Sequence, residues 1–214
     1  YIENRDFSSV PYWKLSVLTE KESLSLKAID DEDYTSEASA QTALATLRSQ
    51  SRLKVESVAR QVGHTAPPLL YDLTALQKDA NRRHGFSADK TLSIAQSLYE
   101  KKITTYPRTG SRYISEDVFE EVPALLRKIG KTLSNPLNRH SVDNAKVTDH
   151  HAIIPTGETP TGLSTDEANI YNMVVTRFAE AFSPDSEEER MQVRFTDGTN
   201  TFTWKACRQI SLGW

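Results

Sequence analysis

Thr105-Tyr106-Pro107-Arg108-Thr109 sets a phenol two residues from a guanidinium, with a proline between them, in a segment rich in hydroxyls and bases. A phenol oxygen that attacks a phosphodiester needs such a neighbour. The guanidinium can hold a phosphate oxygen in a bidentate fork and offset the charge that builds as phosphorus becomes five-coordinate. Pro107 fixes its own φ and biases Tyr106 toward an extended backbone, which holds the ring out of a helix. Taken alone, the segment also reads as a packing tyrosine with its hydroxyl at the surface. Two further patches bear on the choice. Asp149-His150-His151-Ala152-Ile153-Ile154-Pro155-Thr156 places two of the five histidines side by side before an apolar run. Adjacent histidines point in different directions on a helix or a strand, so they are poorly placed to share a metal. Beside a phosphate, a histidine can donate a hydrogen bond, and the anion favours its protonated form. The plainer alternative is a surface pair capping a strand. Residues 69–77 supply a helix N-terminus together with Thr74 and Gln77, suited to phosphate and to sugar or base edges. That patch alone also reads as an ordinary helix start.

The surrounding pattern predicts the elements that must position these groups. Trp13, Leu15 and Val17 alternate as in a half-buried strand over residues 12–18. The acidic run 30–33 precedes a helix over 35–50, with Ala40, Ala43, Leu44 and Leu47 at helical spacing. Four consecutive acids before a helix are read as solvated, not as a metal site. Pro67-Pro68 marks a break. A helix follows from Asp72, with Leu73, Leu76 and Ala80 inward and Gly85 as its stop. Ser87 caps the next helix, whose core side is Leu92, Ile94, Ala95 and Leu98. Residues 103–113 are too short and too proline-interrupted for a helix. Ser115 caps a further one, lined by Phe119, Val122, Leu126 and Ile129 and closed at Gly130. Residues 131–149, with Asn135-Pro136, read as a long polar loop. Ser164 and Glu167 form a capping box opening a helix to about Phe182, with Ile170, Met173, Val174 and Phe178 inward. Met191, Val193, Phe195 and then Phe202, Trp204, Ala206 alternate about Asp197-Gly198, which predicts a hairpin. The expected class is α+β. A helical domain spans 67–188, and a β-rich domain is built from 1–66 and 189–214.

With 214 residues, 37% hydrophobic and 26% charged, the composition is that of a soluble globular protein. No apolar run approaches the roughly 18 residues of a membrane span, so no membrane partner is expected. Cys207 is the single cysteine. It permits no intrachain disulfide, and a cytoplasmic setting is the expectation. The chain starts at Tyr1 and stops after Gly213-Trp214, which reads as a part excised from a longer protein. The net charge of −3 hides an asymmetry. Residues 1–40 carry nine acids (Glu3, Asp6, Glu20, Glu22, Asp30, Asp31, Glu32, Asp33, Glu37) against four bases. Residues 78–112 carry eight bases against three acids, a balance of 8 − 3 = +5 around Tyr106. Polyanion binding responds to the local field, although most such clusters are solvated helix faces.

In this order, Pro67-Pro68 with Leu73-Thr74-Ala75-Leu76-Gln77, then Ile103 to Thr109 with Ser111-Arg112-Tyr113, then His150-His151-Ala152-Ile153-Ile154-Pro155-Thr156, the chain resembles the type IA DNA topoisomerases, most of all their bacterial topoisomerase III branch. The likeness is good from Pro67 to the end and looser before it. It implies that Tyr106 is the nucleophile of a 5′-phosphotyrosine link and that Arg108 stabilises the transition state at the scissile phosphate. It implies DNA contacts for His150 and, more weakly, His151, and for Thr74, Gln77 and Arg112. The implied activity cleaves one strand in a single-stranded region of duplex DNA, passes a strand and religates. This relaxes negative supercoils or decatenates without ATP, because the phosphotyrosine retains the bond energy. A tyrosine phenol ordinarily ionises near pH 10, so it needs help; in the family this comes from an acidic Mg²⁺-binding Toprim domain. Nothing in this chain matches that domain. No metal ligands are therefore assigned here, and the chain alone is expected to be inactive, as a tyrosine domain plus a hinge segment of a monomeric enzyme. Gly110 stands where the family usually has aspartate. Two alternatives stay open: a non-catalytic nucleic-acid-binding module, and a rolling-circle nickase, whose two histidines should alternate along a strand to face one metal.

Overall fold

The computed structural model describes residues 8–21, 24–50, 52–132 and 136–214. Glu3, Asp6, Glu22 and Asn135 lie outside them. Two compact units emerge, Tyr1–Gly63 with Glu188–Ile210, and His64–Glu187 with Ser211–Trp214.

The first unit carries an antiparallel sheet of five strands, β1 (Ser16–Lys21), β2 (Leu24–Asp30), β3 (Lys54–Thr65), β4 (Ser186–Thr196) and β5 (Thr201–Ser211), in the order β1-β2-β5-β4-β3. β1 pairs with β2 from Ser16 opposite Ile29 to Lys21 opposite Leu24, and β2 meets β5 at Ile29 opposite Thr203. Helix α1 (Glu37–Ser49) is capped by the Ser36 hydroxyl, which accepts from the Ser39 amide. The expected strand at 12–18 is shifted: Trp13 makes only an isolated bridge to Tyr34, and the ladder starts at Ser16. In the acidic run, Asp31, Glu32 and Asp33 are exposed, as expected of solvated acids, and Asp30 alone is structural. Asp30 is buried, accepting from the Tyr34 hydroxyl at 2.7 Å and the Glu32 amide at 3.1 Å. A small core of Leu15, Ala28, Val193, Phe195 and Phe202 gathers here.

The second unit is helical: α2 (Leu73–His84), α3 (Ala88–Glu100), α4 (Glu116–Lys128) and α5 (Thr165–Phe182), with a 3₁₀ turn at Asn144–Lys146. The sequence signals act as expected at most ends. Asp72 and Ser87 accept from the third helical amides, and Gly85 takes a left-handed φ of 69° to close α2. Ser164 and Glu167 complete their reciprocal capping box. Ser115 differs: it makes no cap hydrogen bond to the backbone, and its hydroxyl instead bonds Asp117, holding that carboxyl below its ordinary range.

α5 separates two hydrophobic cores. Its Ile170, Tyr171, Met173 and Val174 pack with Leu76, Ala80, Ile94, Ala95 and Leu98. Its Phe178, Ala181 and Phe182 pack with Val122, Leu125 and Leu126. The extended segment at 152–154 serves both cores by strand alternation, with Ile153 in the first and Ala152 and Ile154 in the second. Burial of each such side chain contributes about 1.5–3 kcal/mol.

Glu167 also joins α5 to the end of α3. Its carboxylate accepts from Lys101 Nζ and Ser97 Oγ, each at 2.7 Å, and from the Ser164 amide at 2.8 Å. Led by the Lys101 bond, these donors lower the Glu167 pKa to about 2 from 4.5. Because the folded value is depressed, the stabilisation is complete above the ordinary carboxylate range and is lost as pH falls toward 2. Thermal melts from neutral to acid pH should show a steeper loss in the native chain than in Glu167→Gln. Parallel curves for the two proteins would contradict this.

Candidate nucleic-acid interface and nucleophile

The three sequence patches meet in the second unit. The Tyr71 carbonyl accepts from the Ile153 amide at 2.8 Å, and the Thr109 carbonyl accepts from the Leu73 amide at 3.1 Å. Thr105 N–H donates to the Ile154 carbonyl at 2.9 Å, and its Oγ1 bridges back, accepting from the Ile154 amide and donating to the Ala152 carbonyl. The Ala152 amide reaches the Tyr113 carbonyl at 2.9 Å. The Tyr106 segment is thus held between Leu73 on one side and the 152–156 segment on the other, by main-chain bonds and by the Thr105 hydroxyl. The buried hydroxyls do the specific work. Thr109 Oγ1 donates to the His150 carbonyl at 3.0 Å and accepts from the Ser111 amide at 3.0 Å. That fixes the His150 backbone beside the Tyr106 segment.

Tyr106 is half-buried outside any helix or strand, between the half-buried Thr105 and the buried Pro107, and Arg108 is exposed. Its ring lies 4.6 Å from the His150 ring, tilted at 50°, and meets Tyr99 edge-on at 5.3 Å. Its hydroxyl has no hydrogen-bond partner among the described residues, nor does the Arg108 guanidinium. A phenol with an imidazole packed on its ring, and a guanidinium two residues along the chain, thus have no polar partner among the described residues. Tyr99, Thr105, Tyr106 and Thr156 line a groove of about 480 Å³.

The other expected contacts are placed differently. Thr74 is exposed on the first turn of α2. The amides around it are less free than a phosphate site needs: Leu73 N–H goes to Thr109 and Ala75 N–H to Asp72 Oδ1 at 2.6 Å. Gln77 donates to the Ala88 carbonyl at 3.1 Å and so ties α2 to α3. Arg112 Nε and Nη2 donate to the carbonyls of Leu70 and Leu69 at 3.1 and 3.4 Å. His151 Nδ1 lies 2.7 Å from the Ala152 carbonyl. A carbonyl only accepts, so that nitrogen carries a proton and Nε2 is left as the free end. His150 stays with Tyr106; His151 turns away toward its own backbone and Asp117.

Sequence reasoning missed Tyr99, Thr109 and an ion-pair network beneath the site. Arg177 donates Nη2 to Asp79 at 2.8 Å and Nη1 to the Leu69 carbonyl at 3.2 Å, and its guanidinium lies 4.1 Å from the Tyr71 ring centre. The Tyr71 hydroxyl donates to the same Asp79 oxygen at 2.8 Å. Burial pushes the Asp79 carboxyl up, but Tyr71, Arg177 and Arg82 outweigh it and hold the group below its usual range. Burial raises the Tyr71 phenol. Arg177 and Asp79 lie 98 residues apart, so no local pattern announces their pairing. Gly110 is exposed, and a Cβ built there meets nothing within 4 Å; the position has room for the aspartate that the resemblance leads one to expect.

A family profile described as DNA topoisomerase matches residues 1–214. The DNA topoisomerase 3 of Shouchella clausii is 37% identical over 229 residues, covering 98% of this chain and 31% of the relative. That of Bacillus thuringiensis strain Al Hakam is 44% identical over 161 residues, covering 69% of this chain and 22% of the relative. Among solved structures, full-length topoisomerase I from Thermotoga maritima matches with a TM-score of 0.66 and 25% identity, over 99% of this chain and 36% of that one. The chain therefore spans between about a fifth and just over a third of the length of these proteins. With the Tyr106, Arg108 and His150 segments in contact and the match running from end to end, the chain belongs to the type IA DNA topoisomerase family, on its topoisomerase III-like side.

Proposed function

We propose that this chain supplies the nucleophile half of a DNA strand-cleavage centre. Tyr106 attacks a phosphodiester and keeps the 5′-phosphate, while the ribose oxygen leaves. Arg108 holds the scissile phosphate and offsets its developing charge, and His150 contacts an adjoining phosphate oxygen. Thr74 is exposed to the same strand, whereas Gln77, Arg112 and His151 act chiefly by bracing the backbone around it. The observation that carries the reading is the packing of the His150 ring on Tyr106, 44 positions away in sequence, with both the phenol and the Arg108 guanidinium left open. A packing tyrosine would have its ring enclosed and its neighbours' donors satisfied.

The ligand is a single-stranded stretch of DNA, and in a protein of the relatives' length the outcome is relaxation or decatenation without ATP. Among the described residues no group of three or more His, Cys, Asp or Glu could hold a metal ion. Mg²⁺, which the resemblance implies, would then be held by segments other than these, where it would assist phenol ionisation and leaving-group departure. No helix among the described residues is long and apolar enough to cross a membrane.

The purified chain should bind a labelled single-stranded oligonucleotide with an affinity that falls steeply as salt rises. It should form no covalent adduct with Mg²⁺ present. Failure to bind, or salt-insensitive binding, would remove the DNA reading. An adduct formed by the chain alone would overturn the division of the reaction centre. The nickase alternative finds no support, since the two histidines diverge, one onto Tyr106 and the other onto the Ala152 carbonyl.

A further inference from the structure

Lys102 is the one non-glycine residue with a positive φ, 61°, among the described residues. In that conformation the Cβ crowds the following carbonyl, while glycine meets no such obstacle. Elsewhere the chain follows the rule, with glycine at 85, 130, 157, 162, 198 and 213. The backbone at 102 requires the left-handed turn. Lys102 N–H donates to the Tyr99 carbonyl at 2.8 Å, Ile103 N–H reaches back to Leu98 at 3.1 Å, and the Lys102 carbonyl accepts Thr156 Oγ1 at 2.6 Å. This turn swings the chain from the end of α3 into the Tyr106 segment. A lysine side chain contributes nothing to it.

The side chain has no internal role either. It is exposed and makes no hydrogen bond or ion pair among the described residues. Its neighbour Lys101 is bound to Glu167 at 2.7 Å. Lys102 lines the groove that contains Tyr106, together with Tyr99, Thr105 and Thr156. The one carboxylate there, Glu100, accepts from Gln96 at 3.0 Å. Arg108 and His150 do not line this groove. A strained cation facing the nucleophile's groove, where an unstrained glycine would close the turn better, calls for a ligand.

We propose that Lys102 is a positioning residue that grips a backbone phosphate of the single strand on the groove side of Tyr106, apart from the phosphate held by Arg108 and His150. The proposal rests on the reading of Tyr106 as a nucleophile toward DNA. Its test separates stability from binding, because the two should move in opposite directions. Lys102→Gly should melt about 2–4 °C higher, as the left-handed strain is relieved. It should bind a labelled single-stranded oligonucleotide about fivefold more weakly at low salt, and the slope of log affinity on log salt should fall by about 0.7, one phosphate contact on a single strand. Lys102→Arg should keep the native slope. Unchanged affinity and slope in Lys102→Gly would overturn the proposal, as would a lower melting temperature. If the native chain itself fails to bind, the DNA reading of the whole site falls; if it binds and Lys102→Gly binds alike, only this inference does.

Discussion

Tyr106→Phe, introduced into a polypeptide of the relatives' full length, should lower DNA relaxation and covalent adduct formation by at least about 10⁴-fold, since on the proposed reading the substitution removes the oxygen that takes the phosphoryl group. Binding of a single-stranded oligonucleotide should change less than about threefold, because the phosphate contacts come from other side chains. Stability should stay within about 0.5 kcal/mol. The ring keeps its contacts with His150 and Tyr99, and the hydroxyl has no internal partner among the described residues to lose. Gel relaxation assays, anisotropy and a thermal melt together read the three quantities. Residual relaxation near the native rate would mean that another residue is the nucleophile.

Arg177→Ala should be the most damaging substitution for stability. Arg177 and Asp79 side chains are 11% and 19% exposed, so the pair is little screened by solvent. Removing the arginine leaves the Asp79 carboxylate with only Arg82 and the Tyr71 hydroxyl, takes away the partner of Glu180, and removes a cation from the face of Tyr71. Breaking a buried pair in this way costs about 3–5 kcal/mol. The modest exposure places this case near 3 kcal/mol, or a fall of roughly 6–12 °C in melting temperature for a chain of this size. Arg177→Met with Asp79→Asn should recover part of the loss, because the little-exposed Asp79 carboxylate no longer needs a counter-charge. Urea melts of the single and double variants decide it. Equal stability of Arg177→Ala and the native chain would show that the pair is idle. The effect reaches the site, since Tyr71 holds Ile153 in register and Ile153 is three residues from His150.

The helical half of the fold was legible because its signals are local. Asp72, Ser87, Gly85, Ser164 and Glu167 are cap residues whose effect depends on the next three or four positions. The apolar stripes of α3 and α5 face large cores, so their 3.6-residue period survives. β3 was not legible. Its valines at 55, 58 and 62 recur at helical spacing and are all exposed, so the strand has no buried face to impose alternation. β2 was hidden by the acidic residues at its end; Asp30 is a strand residue whose carboxylate is used internally. In the site, residue type and order pointed to Tyr106, Arg108 and His150. Which donors remain available was not readable, because that depends on tertiary hydrogen bonds. Arg112 and Gln77 look like ligand contacts in sequence, yet both are engaged on carbonyls 42 and 11 positions away. Lys102 looks like one of eight bases and is singled out only by its φ.

The central claim is that the phenol oxygen of Tyr106 takes the phosphoryl group. The direct measurement is to incubate a polypeptide of the relatives' full length with a single-stranded oligonucleotide and Mg²⁺, denature it during turnover, digest both polymers and locate the nucleotide by mass spectrometry. A 5′-phosphonucleotide on the peptide that contains Tyr106, absent from Tyr106→Phe, is the predicted result. An adduct on any other residue, or an undiminished adduct in the variant, would contradict the account.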